Sequence, residues 1–527
     1  MTSATPPPAG PPGDGSSANA ASHSGGGADA SSSGLSSKGL SAGKIGAIGG
    51  AIIGISCIAP AYTLTSGLGP TISQVGVHTP AILLVGFVPM LLVVFGYREL
   101  NTAMPDSGTT FTWATRAFGP WLGWMGGWGL ISATVLVLSN LAAVAVDFLF
   151  LLLAQVFSDP AIADLTRVLW INIPVTVVLT AGAAWVSFRG VEATEKIQVW
   201  LVAFQVLALG WFVIASFVHV ANGTAFDATP VELGWFNPAE AGDFSTVAAA
   251  VSLSIFLFWG WDTVITMNEE AKDPEKTPGR AAMLTIIAIV IIYIACTVAV
   301  ISFAGIGTDG LGAGNPDNQE SIFAALATPV MGPFAVLVSI AVLSSSLASL
   351  QSTMVSPSRT ILAMGHYGAL PKKYGNISPR YKSPSVATVT SAGAAIAFYV
   401  VMRLLSENAL WDTITALGLM VCFYYGITGL ACIWYFRHSL FRGPRNFFFR
   451  FLFPLVGGVT LLVIFVTTAI DSLDPAYGSG SSVFGIGLVF VLGIGVLLLG
   501  VVIMIIQSIR DPGFFRGESL RQGVDTE

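Results

Sequence analysis

The chain has 527 residues, of which 54% are hydrophobic and 10% charged. A soluble domain carries roughly 25% charged residues, so this balance excludes a string of soluble domains and points to an integral membrane protein. The net charge of −6 says less than where the charges fall, and no nucleic-acid partner is expected.

Residues 1–43 are Pro, Gly, Ser and Ala with almost no large apolar side chain, the composition of a disordered tail. They lack the basic start and short apolar core of a cleaved signal peptide. Twelve apolar spans follow, at 45–72, 80–99, 121–153, 168–187, 196–218, 244–267, 281–304, 332–362, 385–403, 410–435, 449–470 and 482–507. Each run is about 20 residues or more, enough for one crossing at roughly 1.5 Å per residue. The four cysteines, Cys57, Cys296, Cys422 and Cys432, fall inside spans, show no metal-ligand spacing and read as small apolar packers. With the N-terminus inside, 21 of the 23 Lys and Arg lie in cytoplasmic segments, and only Arg167 and Arg403 fall outside them. The long external loops 219–243 and 305–331 hold no Lys or Arg, so both termini are expected in the cytoplasm.

The first span is interrupted by Gly54-Ile55-Ser56-Cys57-Ile58-Ala59-Pro60, with Gly54 and Pro60 expected to carry the break. The sixth is interrupted by Phe256-Leu257-Phe258-Trp259-Gly260-Trp261-Asp262. Lipid penalises unpaired backbone groups, so broken helices persist only where they line a protein cavity. Spans 3 and 8 are the long ones, which predicts tilt. Each element of spans 1–5 recurs about 200–216 residues later in spans 6–10, and five is odd, so the second set runs the opposite way through the membrane. The expected architecture is all-α: a transport core over 44–440 built as a five-plus-five inverted repeat (45–218 and 244–435), two further helices within 441–507, and a C-terminal cytoplasmic tail at 508–527.

Three stretches resemble the signatures of amino acid permeases of the amino acid–polyamine–organocation superfamily. They are Glu99-Leu100 … Met104-Pro105-Asp106-Ser107-Gly108 … Phe111 … Arg116-Ala117-Phe118-Gly119-Pro120 … Gly123-Trp124 … Gly127-Trp128; Phe258-Trp259-Gly260-Trp261-Asp262 … Asn268-Glu269-Glu270 … Asp273-Pro274 … Thr277-Pro278-Gly279; and Ser358-Arg359 … Ala363-Met364 … Gly368-Ala369-Leu370-Pro371. The likeness covers about 45–440 and implies a leucine-transporter-type fold that imports amino acids or related amines across the plasma membrane. The chain departs from relatives that read Gly-Ser-Gly in span 1. Where proton-coupled relatives often carry a lysine in span 5, counting from Gly190 places Gln205, so a lysine proton relay does not carry over.

The helix resuming after the span 1 break is expected to offer N–H groups to a substrate carboxylate, with Ser56, Cys57, Ile58 and Ala59 as backbone candidates, while Pro60 has no N–H. A plain proline kink is the alternative. Span 6 would offer carbonyls to the amine, and Phe256, Phe258 and Trp261 are candidate aromatic walls or ordinary packers. Asp262 pairs with a substrate amine, carries a proton, or caps the second half-helix. The resemblance places Glu269, beside Glu270, in an inner gate; the alternative is a solvated charge cluster. Ser345 and Ser349 share a face at i, i+4 and are candidate sodium ligands or close-packing serines. The driving ion is therefore a proton or sodium, with exchange as the alternative mode. A membrane enzyme is disfavoured because all five histidines lie in the tail, in loops or at span ends, and Gly43-Lys44-Ile45 lacks the pattern of a nucleotide loop. No cofactor is expected. A non-transporting sensor would be told apart by counterflow, and the sequence leaves the oligomeric state open.

Overall fold

The computed structural model describes residues 38–319, 321–405 and 409–523. The expected tail therefore lies outside the described residues except for 38–43, which pack onto the helix bundle. Ten stretches among the described residues are long and apolar enough to cross a membrane, and the first, Ala47–Ala103, is 57 residues long and turns back at Gly76–His78. The twelve-span count requires that stretch to be divided there and the interrupted segment 244–266 to be counted as well.

Span 1 is two helices, α1 (Ala47–Ile58) and α2 (Pro60–Val75). Ala59 sits between them in the left-handed region, φ 56°, which ends α1, and Pro60 starts α2 at a position where its missing N–H costs nothing. Gly54 does not break the helix as expected. It lies inside α1, where a β-carbon would stand 2.4 Å from the Thr285 hydroxyl, so its role is close approach to span 7. Span 2 is α3 (Thr79–Ala103); a short α4 (Thr110–Phe118) precedes span 3, α5 (Pro120–Phe157). At 38 residues α5 is roughly 57 Å long, nearly twice the hydrocarbon thickness, as its length in the sequence foretold. Spans 4 and 5 are α6 (Leu169–Phe188) and α7 (Val191–Ala221).

Span 6 is α8 (Phe244–Leu257), a non-helical stretch over 258–262, and a single turn α9 (Thr263–Thr266). Span 7 is α10 (Thr277–Ala304). The loop after it folds into α11 (Pro316–Gln319) and α12 (Ile322–Met331), which were not expected. Span 8 is α13 (Ala335–Thr353) continued by α14 (Val355–His366), and spans 9 and 10 are α15 (Ser385–Leu405) and α16 (Ala409–Tyr435). The chain then forms α17 (Pro444–Asn446), α18 (Phe453–Asp471), α19 (Leu488–Phe490) and α20 (Val496–Arg510). Span 12 starts later than expected because Ser482–Val483 (β1) and Ile486–Gly487 (β2) form a hairpin. Its two central residues, Phe484 and Gly485, both have positive φ, the requirement of the tightest hairpin turn.

Helix packing shows the repeat directly. Each of spans 1–4 packs on its counterpart: α2 on α8 and α1 on α9, α3 on α10, α5 on α13, α6 on α15. The cross-pairs match as well. The α1–α7 packing is mirrored by α8–α16, α7–α10 by α16–α3, α5–α15 by α13–α6, and α13–α7 by α5–α16. Exchanging span n with span n+5 preserves these neighbours, as a two-fold axis relating two oppositely directed halves would, whereas the packing of span 1 on span 8 has no comparable counterpart between spans 6 and 3. Both breaks lie at the centre of this bundle, where Ala59, Phe258 and Trp261 are fully buried.

Candidate functional site

The two breaks abut. Gly260 has φ 116°, and a β-carbon there would sit 3.3 Å from the Cys57 sulfur and 3.3 Å from the Ile58 nitrogen. The bare backbone of span 6 thus reaches the bare backbone of span 1. Span 8 braces the junction: Ser349 Oγ donates to the Cys57 carbonyl at 2.7 Å, and Ser345 Oγ accepts from the Tyr62 N–H at 3.3 Å. The Cys57 sulfur lies 3.1 Å from Thr263 Oγ1 and 3.0 Å from Thr353 Oγ1, tying spans 1, 6 and 8 together.

The expected donors shift by one turn. Ser56, Cys57 and Ile58 are the last turn of α1, and the Ala59 N–H donates to the Ile55 carbonyl at 2.9 Å. These four residues therefore contribute the carbonyl end of a helix, and the N–H end belongs to the first turn of α2 after Pro60. The physical reason is that Ala59 ends one helix with its own N–H still inside it. Ala59 tolerates the left-handed region at a cost of about 1–2 kcal/mol, whereas a β-branched residue is a genuine outlier there. Ala59→Val is expected to weaken substrate-induced thermal stabilisation and uptake by about tenfold or more, the equivalent of roughly 1.4 kcal/mol, and Ala59→Gly to keep both.

Two of the three span 6 aromatic candidates pack on rings of neighbouring spans. Phe258 packs between Phe87 of span 2 and Tyr293 of span 7, at centroid distances of 5.5 and 5.3 Å. Trp261 packs on Tyr97 and Tyr425, each at 4.9 Å. Phe256 is buried within α8. Asp262 makes no side-chain cap to α9, so the capping role is not the one seen. Its Oδ2 accepts from the Tyr424 hydroxyl at 3.0 Å, Tyr424 in turn accepts from Trp259 Nε1, and Oδ1 has no hydrogen-bond partner. Tyr424, Tyr425 and Tyr97 were not picked out from sequence; the adjacent tyrosines inside an apolar span were the available signal.

Gln205 is buried and neither of its amide atoms has a hydrogen-bond partner. The span 5 residue that reaches the junction is Gln198, two turns nearer the N-terminal end. Its Oε1 accepts from Ser56 Oγ, and its Nε2 donates to the Ala348 carbonyl at 3.0 Å and to Gln351 Oε1 at 2.6 Å. A sodium ion held by Ser345 and Ser349 would need hard oxygens free to face it. Ser349 Oγ, Thr353 Oγ1 and the Cys57 carbonyl lie together, a set of neutral hard oxygens, while Ser345 Oγ accepts from the Tyr62 N–H.

Where the N-terminal segment meets the bundle, the acidic residues after span 6 are paired. Arg359 of α14 makes a two-point contact with Glu270, Nε to Oε2 at 2.7 Å and Nη2 to Oε1 at 2.9 Å, and both side chains are 3% exposed. Glu269 Oε1 accepts from the Ser107 N–H at 3.0 Å and from Lys38 Nζ at 2.7 Å. Lys38 also reaches Asp106 Oδ2 at 2.5 Å. Burial opposes the Lys38 ammonium, but Asp106 and Glu269 outweigh it and hold its pKa above the usual lysine value. Burial likewise opposes the Asp106 carboxylate, but Lys38 and the Thr112 and Tyr367 hydroxyls hold it below the usual carboxylate range. Asp106 therefore stabilises the fold above its unfolded pKa and loses that effect only as the pH falls through its depressed folded value. Lys38 contributes below its unfolded pKa and loses that effect as the pH rises through its raised one, so the pair holds across the neutral range.

Comparison with known proteins places the chain in a family and a fold. Residues 47–513 match the amino acid permease family. The branched-chain amino acid permease BcaP of Lactococcus lactis is 26% identical over 57% of this chain and 62% of its own length. The Asc-type amino acid transporter 1 of Mus musculus is 25% identical over 77% and 71%, and the low-affinity putrescine importer PlaP of Escherichia coli 23% over 75% and 82%. Among solved structures, MhsT in complex with L-phenylalanine superposes with a TM-score of 0.55 at 15% identity, covering 79% of this chain and 98% of that one. That likeness carries the fold alone, the leucine-transporter-type inverted repeat. With the family matched across nearly the whole helical region, the chain belongs to the amino acid permeases of the amino acid–polyamine–organocation superfamily.

Proposed function

We propose that the chain is a secondary active transporter of amino acids or related amines, working by alternating access in the plasma membrane with both termini in the cytoplasm. One observation carries the reading: the span 1 and span 6 breaks lie against each other at the buried centre of the repeat, which brings helix ends of opposite polarity to one place. The first turn of α2 suits a carboxylate, and the carbonyl ends of α1 and α8 suit an ammonium. The relatives that bear branched-chain, Asc-type and putrescine names support an amino acid or amine as solute. Ser56, Cys57, Thr263 and Gln198 meet at the junction, and with the Asp262 carboxylate assigned to the proton rather than to a second amine the reading favours a neutral amino acid over a diamine.

The driving ion in this reading is a proton, carried by Asp262, whose Oδ1 is the unpartnered carboxylate oxygen beside the span 6 break. One charge crossing 100 mV supplies roughly 2.3 kcal/mol, enough for useful accumulation. Purified protein in liposomes is expected to show counterflow of a labelled neutral amino acid, together with thermal stabilisation by the same solute and indifference to sodium. Stabilisation without counterflow would make the protein a sensor. A strict sodium requirement would overturn the assignment of the ion.

A further inference from the structure

Lys38 lies only nine residues before α1, yet its side chain is 1% exposed. Its ammonium bridges two halves of the molecule. Asp106 belongs to the loop between spans 2 and 3, in the first repeat, and Glu269 to the exit of span 6, in the second. The ring of Tyr367, just past α14, lies under the same nitrogen at 5.3 Å. The segment that follows is pinned by backbone as well: the Lys44 and Ile45 N–H groups donate to the Glu270 carbonyl at 2.8 and 3.1 Å, and the Lys272 N–H to the Ile45 carbonyl at 2.9 Å. The C-terminal segment closes on the same residue from below, with Ser519 Oγ donating to the Tyr367 carbonyl and Phe514 stacked on Phe111.

We propose that Lys38 is a tethered latch: an ammonium carried on the N-terminal segment that plugs between Asp106 and Glu269, holds the cytoplasmic gate shut, and must leave for that gate to open. This inference rests on the alternating-access reading above. The first half of span 1 can swing from spans 6 and 8 only if the segment leading into it lets go. The acidic side is built to survive the departure. Without Lys38, Asp106 keeps the Gly108 N–H at 2.8 Å, the Thr112 hydroxyl at 2.6 Å and the Tyr367 hydroxyl at 2.7 Å, and Glu269 keeps the Ser107 N–H. Release thus breaks an ion pair without unfolding the loop that holds it. The Arg359–Glu270 pair beside it has no such reserve and stays as a fixed strut.

The native thiol of Cys57 reports on the gate, because it lies buried at the junction behind the latch. In inside-out membrane vesicles containing the full chain, labelling of Cys57 by a membrane-impermeant maleimide is compared among the unaltered protein, Lys38→Gln and Lys38→Arg, with Cys57→Ser as background. Lys38→Gln is expected to speed labelling about tenfold as the open population rises, and Lys38→Arg to stay within about twofold. Glu269→Gln, which leaves Asp106 and its loop intact, is expected to change labelling in the same direction, so the result does not hang on one variant. Equal labelling in Lys38→Gln and the unaltered protein, with Cys57 reached from inside in both, overturns the latch and leaves the transporter reading standing. If Cys57 is labelled in no variant, neither in inside-out vesicles nor in right-side-out vesicles and with or without amino acid present, both fall together.

Discussion

Arg359→Ala is expected to lower the stability of the purified protein by about 3–5 kcal/mol, the usual result of stranding one member of a buried ion pair. Glu270 is 3% exposed at its side chain and receives both of its charged donors from the single guanidinium of Arg359. Its main-chain carbonyl is the anchor for the Lys44 and Ile45 N–H groups, so tilting Glu270 also loosens the segment before α1. Thermal or denaturant unfolding in detergent at neutral pH measures the loss. The double variant Arg359→Met with Glu270→Leu is expected to recover most of it, because two apolar side chains of similar volume leave no charge unpaired. A single variant within about 1 kcal/mol of the unaltered protein would mean that water reaches the pair.

Gly260→Val is expected to abolish transport and to cut substrate-induced stabilisation by about a hundredfold in affinity, roughly 3 kcal/mol. Two costs add at this position. The backbone has φ 116°, a region that only glycine occupies freely, and the new β-carbon would press on the Ile58 nitrogen and the Cys57 sulfur from 3.3 Å. The backbone around Cys57–Ile58 cannot recede, because Ser349 holds the Cys57 carbonyl and Thr263 and Thr353 hold its sulfur. Span 6 would have to move out instead, and the two helix ends would no longer meet. Gly260→Ala meets the same backbone with less bulk and should show a smaller loss in the same direction. Full uptake by Gly260→Val in liposomes would mean that the junction is not the solute site.

Much of this was open to view in the residues. Pro60 and Gly260 mark the breaks because a missing N–H and a positive φ act within a residue or two, wherever the rest of the chain lies. That α5 would be unusually long followed from the apolar run 121–153, although the helix extends beyond it to Phe157. The errors came where two local signals competed. Gly54 looked like a helix breaker but is a packing glycine, and Ala59, an ordinary helix former, takes the left-handed turn. Ser482 to Gly487 read as the start of a span because its hydropathy hid a hairpin.

The sequence by itself determined the membrane class, the interrupted first and sixth spans and the two-fold order of the repeat, because hydropathy, helix breaking and span length are properties of short segments. Only the tertiary structure decided which side chains meet. Gln198 rather than Gln205 reaches Ser56 across 142 residues, Arg359 finds Glu270 across 89, and Lys38 of a tail that looked structureless finds Glu269 across 231. Pairings at such separations depend on how the helices tilt and slide against one another: Gln198 and Gln205 share one helix face, and an offset of about 10 Å along the axis decides which of them meets span 1.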